Sequence, residues 1–158
     1  MAVEKRIEFD DREVKAGLER LRLALPLGGD MTPAFTSIGR ILKTGTQLRF
    51  RAQQSPEGDA WKPSQRAEAE GGQTLRLTSR LRNSITYGAS HDRVEVGTNV
   101  VYGAIHHFGG LAGRATGKAG PVRRTRLPAR PYLGASEDDL SEITKVLNHH
   151  LKGAWRSP

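Results

Sequence analysis

Apolar positions recur along this chain with two different periods. Val14, Leu18, Leu21 and Leu25 fall at intervals of four, three and four, which predicts an amphipathic helix running from Asp10 to the stop signals Pro26, Gly28 and Gly29. Asp10, with Glu13 three residues on, resembles a capping box. Ahead of it, Val3, Ile7 and Phe9 are the inward positions of a short strand. A second helix is expected from Thr32 as N-cap, with Pro33 in its first turn, to about Gln53. Its apolar stripe is Phe35, Ile38, Leu42, Leu48 and Ala52, and Arg40, Lys43, Arg49 and Arg51 are assigned to the other side. Gly39 and Gly45 inside this helix leave three readings open: close approach of another backbone, a bend, or tolerated glycines.

"SPEGDAW" (55–61) reads as a turn, because Pro56 presets φ and Gly58 permits positive φ, and it delivers Trp61 to the edge of the core. The polar stretch 62–73 is expected to be an exposed loop. "TSRLRNS" predicts one or two helical turns. Ile85 and Tyr87, then Val94 and Val96, alternate on either side of "SHD", the mark of an antiparallel hairpin. "VVYGAIHHF" has room for two helical turns, ended by Gly109 and Gly110. A last helix starts after Ser136 as N-cap, with Glu137, Asp138 and Asp139 in its first turn, carries the stripe Leu140, Ile143, Leu147 and Leu151, and is expected to stop at Gly153.

Composition changes the picture in two ways. The chain has 158 residues, enough for one core and one domain over 1–158. Its 25 Lys and Arg against 17 Asp and Glu give a net charge of +8, which favours a polyanion or an acidic protein surface as neighbour. Much of that excess lies in one place. Residues 111–131 carry Arg114, Lys118, Arg123, Arg124, Arg126 and Arg130 with no acid, so this Gly-rich stretch is expected to stay extended, as an arm, unless something negative binds it. Three readings compete for it: an arm that orders on a neighbouring subunit, which is preferred, a tether for nucleic acid, and a solvated loop. There is no cysteine, which excludes disulfides and thiolate chemistry. No apolar run approaches a membrane span and no signal peptide opens the sequence, so a soluble protein made in the cytoplasm is expected.

Candidate chemistry is thin. His106 and His107 are consecutive, as are His149 and His150, and on a helix such neighbours point about 100° apart and do not converge on one ion. HExxH, GxSxG and Walker motifs are absent, and "GLAGRATGKAG" neither follows a strand nor opens a helix. No enzyme, metal or cofactor is expected; a metal-dependent hydrolase and a basic DNA-binding accessory protein are the readings to be set against a structural one.

Four blocks in order, "SPEGDAW", "LTSRLRNSI", "VEVGTNVVYGAIHHFGG" and "LPARPYLG", together resemble the phage virion morphogenesis family, which contains the tail-completion proteins of Mu-like and related tailed bacteriophages. The resemblance runs over roughly 7–145 and takes in "IEFDDREV" and "LGASEDDL". The family pattern has Gln after the first His, so His107 stands where an amide is usual, and no contact is carried over to the basic insert at 111–127. The resemblance implies an α+β subunit, helices packed on one face of a small antiparallel sheet with a long basic loop. It implies a structural part of the virion: a hexameric ring at the head-proximal end of the tail, present in the host cytoplasm during assembly. The implied partners are other copies of itself, the tail tube protein and the head connector or neck proteins, with room for non-specific contact with genomic DNA in the lumen and no membrane.

In that setting Tyr102, Ile105 and Phe108 are expected to pack inward, and His106 to supply a hydrogen bond that fixes the Gly109–Gly110 turn from which the arm leaves. Pro128 and Pro131 hold Ala129 and Arg130 extended, and Tyr132 and Leu133 anchor the return. Arg130 is expected in an ion pair, within the chain or between subunits. Arg114, Lys118, Arg123, Arg124, Arg126, Arg130 and Tyr132 are the candidate inter-subunit contacts, and Trp61 belongs with the structural motif.

Overall fold

The computed structural model describes residues 30–115 and 122–156. The strand expected at 3–9, the helix expected at 10–25 and Lys118 lie outside the described residues.

Helix α1 (Thr32–Ala52) starts one residue earlier than its expected cap implies. Met31 is the N-cap and makes no side-chain cap bond; instead Asp30 Oδ1 accepts from the Thr32 N–H at 2.9 Å. Gln53, at φ +59°, closes the helix with its N–H on the Arg49 carbonyl at 2.7 Å. The buried face is Ala34, Ile38, Gly39, Thr46, Arg49 and Phe50, whereas Leu48 and Ala52 are exposed. Arg49 therefore points inward, against expectation. Ile38, Thr46 and Phe50 recur at multiples of four, and Arg49, three after Thr46, falls on the same face; a carboxylate waits there for its charge. The two glycines permit close approach, by side chains rather than backbone: a Cβ at Gly39 would overlap the Tyr87 ring, and one at Gly45 the Asp139 carboxylate.

The turn at 55–61 forms as expected, with Gly58 at φ +93° and the Ser55 N–H on the Asp59 carbonyl at 2.8 Å. The stretch 62–73 contains a helix where a loop was expected, α2 (Gln65–Glu70). Ser64 Oγ caps it by accepting from the Ala67 N–H at 3.2 Å, and Ala67 is the single buried anchor. One anchor makes no period, which is why the pattern was silent. Next come α3 (Arg80–Asn83), which buries Leu81, and the hairpin of β1 (Thr86–Ala89) with β2 (Val94–Gly97), where Tyr87 pairs with Val96 and Ala89 with Val94.

After α4 (Gly103–Phe108) the chain makes a second antiparallel pair, β3 (Gly110–Ala115) with β4 (Val122–Leu127). Helix α5 (Glu137–Arg156) ends the described chain. Its Ser136 cap forms as expected, with Ser136 Oγ accepting from the Asp139 N–H at 3.2 Å and Asp139 Oδ2 accepting from the Ser136 N–H at 3.0 Å. Leu140 is exposed rather than in the stripe, because Asp139 takes the inward position beside it. The helix also continues through Gly153, since glycine weakens a helix by about 1 kcal/mol without forbidding it.

The fold is α+β, with two small antiparallel sheets and helices on one face: α1 packs on β1 and β2 and also on α5. The core is Phe50, Trp61, Leu81, Ile85, Val100 and Tyr132. Phe50 meets Trp61 edge-on at 5.5 Å and Tyr132 at 5.2 Å between ring centres.

Candidate functional site: the basic hairpin and the cleft beside it

The side-chain hydrogen bond expected of His106 is absent among the described residues, and it is His107 whose imidazole is engaged. His107 Nδ1 accepts hydrogen bonds from the backbone N–H groups of Tyr132, at 3.2 Å, and Leu133, at 3.5 Å, and its ring stands edge-on to Tyr132. It anchors the returning chain, not the glycine turn. His106 acts through its backbone, whose carbonyl accepts from the Arg130 N–H at 2.9 Å, while its Nδ1 is buried with no hydrogen-bond partner. Burial lowers the pKa of both imidazoles; for His106 the Arg130 charge adds to the effect, and for His107 Glu57 opposes it. The Gly-Gly turn is set by backbone geometry. Gly109 sits at φ +73°, and a Cβ there would crowd the Ala129 nitrogen.

Tyr102 and Phe108 do not pack inward; Phe108 is 77% exposed. Six helical residues bury one narrow face, and α4 presents Gly103, against the Tyr132 hydroxyl, as its buried residue, with Ile105 half-buried. The return segment is fixed within the chain. Arg130 is only 3% exposed, but its partners are carbonyls rather than a carboxylate: Nε donates to Lys62 O at 2.8 Å and Nη2 reaches Pro63 O at 3.4 Å. No ion pair to it occurs among the described residues. The Trp61 indole N–H donates to Pro131 O at 2.9 Å, tying the 55–61 turn to the same segment. Tyr132, expected to meet a partner, is 1% exposed and sits at the centre of the aromatic core, so it is an internal anchor.

Where an extended arm was expected, β3 and β4 pair with each other. Ladder hydrogen bonds satisfy the backbone groups that face the partner strand, and exposed Arg124 and Arg126 are in water, where their repulsion is screened. Arg114 and Arg123 are partners across the ladder; Leu111 lies opposite Arg126 and Gly113 opposite Arg124. By the alternation of strands, Leu111, Arg124 and Arg126 share one face, and all three are exposed.

A cleft of about 580 Å³ lies between the end of β4, residues 62–66 and residues 75–81. Its charged lining is all cationic: Lys62, Arg66, Arg126 and Arg130, with His106 in the wall, and no carboxylate among the lining residues. Leu75, Leu77, Leu81, Leu127 and Tyr102 give it an apolar lining. Arg66 is already engaged by Glu70, at 3.3 Å, and by the Gln73 carbonyl, and Arg130 by its two carbonyls, which leaves exposed Lys62 and Arg126 uncommitted among the described residues. Sequence reasoning missed this cleft, because its lining is gathered from separate segments between residues 62 and 130.

No group of three His, Cys, Asp or Glu able to hold a metal occurs among the described residues. No helix there is long and apolar enough to cross a membrane. What the described residues present to solvent here is a cationic cleft with an apolar lining beside an exposed basic ribbon. The sequence profile of the phage virion morphogenesis family matches residues 9–152. The chain belongs to that family. Mu-like prophage FluMu G protein 2 of Haemophilus influenzae is 30% identical over 141 residues, covering 89% of this chain and 91% of that protein. The putative capsid assembly protein G of Escherichia phage Mu is 30% identical over 159 residues, covering 92% of this chain and 97% of its own. FluMu G protein 1 is 24% identical over 153 residues. No solved structure matches the chain. Family membership makes this a protein of virion morphogenesis in Mu-like tailed phages.

Proposed function

We propose that the chain is a structural virion subunit that associates with copies of itself into a ring at the head-proximal end of the tail, completing the tail and joining it to the head. The observation that carries this reading is the β3–β4 hairpin. A two-stranded ribbon is marginal by itself, and this one is braced by α4 at its base while presenting Leu111 beside Arg124 and Arg126 to solvent. Exposed ribbons of this kind are stable once a neighbour covers a face or an edge. Family membership, and the capsid assembly name of the phage Mu relative, support work at a place where parts of the particle are put together. The tail tube protein and the head connector are the partners this reading assigns to the two rims, and the net charge of +8 suits a lumen through which the genome passes.

Electron microscopy of particles from a strain with a stop codon in this gene tests the reading. Heads and tails accumulating unjoined, with tails of irregular length or open ends, is the expected picture. Intact virions in normal yield would refute it.

A further inference from the structure

The cleft and the start of α5 are complementary in both charge and polarity, and they are separate patches of one chain. Glu137 and Asp138 are exposed in the first turn of α5 and form no ion pair among the described residues; Leu140, one turn on from Glu137, is 52% exposed. None of the three lines the cleft, which holds uncommitted Lys62 and Arg126 above the leucines 75, 77, 81 and 127. Resting on the ring reading above, we propose that this cleft is the socket of the subunit contact and receives the acidic first turns of α5 from a second copy of the chain.

Three observations lead to this occupant. Two different, complementary patches on one subunit generate a head-to-tail contact that closes into a ring, whereas a patch that fits itself stops at a dimer. The leucine-rich lining has nothing to offer a phosphodiester backbone, and Tyr102 and the half-buried His106 are the rings in the lining on which a base would stack, so nucleic acid leaves the leucines unused. An apolar side chain with a carboxylate one turn before it on the same face uses both halves: Leu140 against the leucines and Glu137 against Lys62 and Arg126, with Asp138 adding negative charge at the rim.

Charge reversal in the full chain tests it. Lys62→Glu with Arg126→Glu inverts the socket, and Glu137→Lys with Asp138→Lys inverts the helix start; all four side chains are exposed, and thermal melts followed by circular dichroism verify that each variant folds. Light scattering is then read over a concentration series. Each double variant alone is expected to need roughly tenfold or more protein to assemble, because every contact sets like charges together. An equimolar mixture of the two is expected to regain wild-type assembly, because every contact between unlike chains is again opposite in sign. Assembly of either variant at the wild-type concentration, or failure of the mixture to recover, overturns the socket while leaving the ring reading standing. Duplex DNA binding lost in the socket variant, with self-association unchanged, overturns it in favour of a nucleic-acid cleft. A wild-type chain that stays monomeric throughout, alone and with purified tails, overturns the ring reading and the socket together.

Discussion

Arg49 and Asp139, ninety positions apart, form a buried ion pair that locks α1 to α5. Each is over-used. Arg49 Nη1 also donates to the Tyr132 carbonyl at 3.2 Å and to Thr46 Oγ1 at 3.3 Å, and Asp139 Oδ2 also accepts from the Ser136 N–H and hydroxyl. One carboxylate thus caps α5 and neutralises a guanidinium from α1, and Gly45 leaves the space for it. Replacing one partner strands a charge away from water. Arg49→Met and Asp139→Ala are each expected to destabilise the fold by about 3–5 kcal/mol in urea unfolding, and the double variant by clearly less than the sum.

Gly39 faces the Tyr87 ring, so Gly39→Ala sets two effects against each other. Alanine favours a helix interior by about 0.5–1 kcal/mol, while forcing a methyl into packed space costs about 1–3 kcal/mol. Net destabilisation is expected in the wild-type background. In a Tyr87→Ala background the same change is expected to stabilise, a reversal of sign visible in paired melting curves.

The Trp61 indole reaches Pro131 O across the base of the return segment. Trp61→Phe keeps most of the packing against Phe50 but leaves that carbonyl without its donor, and a loss of about 1–3 kcal/mol is expected in denaturant titration.

Burial holds His107 neutral, with a pKa below the ordinary 6.5, and its Nδ1 is an acceptor for Tyr132 and Leu133. Because the folded pKa is the lower one, the unfolded chain takes up the proton first. Stability is therefore complete above about pH 6.5 and falls as pH drops below it toward the folded pKa. His106, lowered in the same way, contributes to the same limb. His107→Gln, whose amide oxygen accepts the same bonds without titrating, is expected to flatten the acid side of a stability profile, and His106→Gln to flatten it further.

The elements legible in the sequence were those with a period or a strong local signal: α1, the 55–61 turn, the β1–β2 hairpin and the Ser136 cap. The cap also held a clue that went unread, since Ser136 and Asp139 at a spacing of three form a capping box that pulls Asp139 inward. Arg49 lies seven residues after Leu42 and eleven after Ile38, on the apolar stripe itself, and its charge alone argued for the water-facing side. Helix α2 rests on Ser64 and one alanine, too little for any periodicity to register. Pairing of β3 with β4 was hidden by composition: glycines and arginines describe a solvated arm, and only the ladder, which depends on backbone rather than side chains, makes them a ribbon. The cleft is a tertiary product of segments from 62 to 130, and no stretch of sequence contains it.

The most direct test of the central claim is the native mass of this protein released intact from purified virions. The account predicts a closed oligomer at an integral multiple of 17.3 kDa, located by immunogold labelling at the head–tail junction. Release only as a 17.3 kDa monomer, or its absence from the particle, would contradict it.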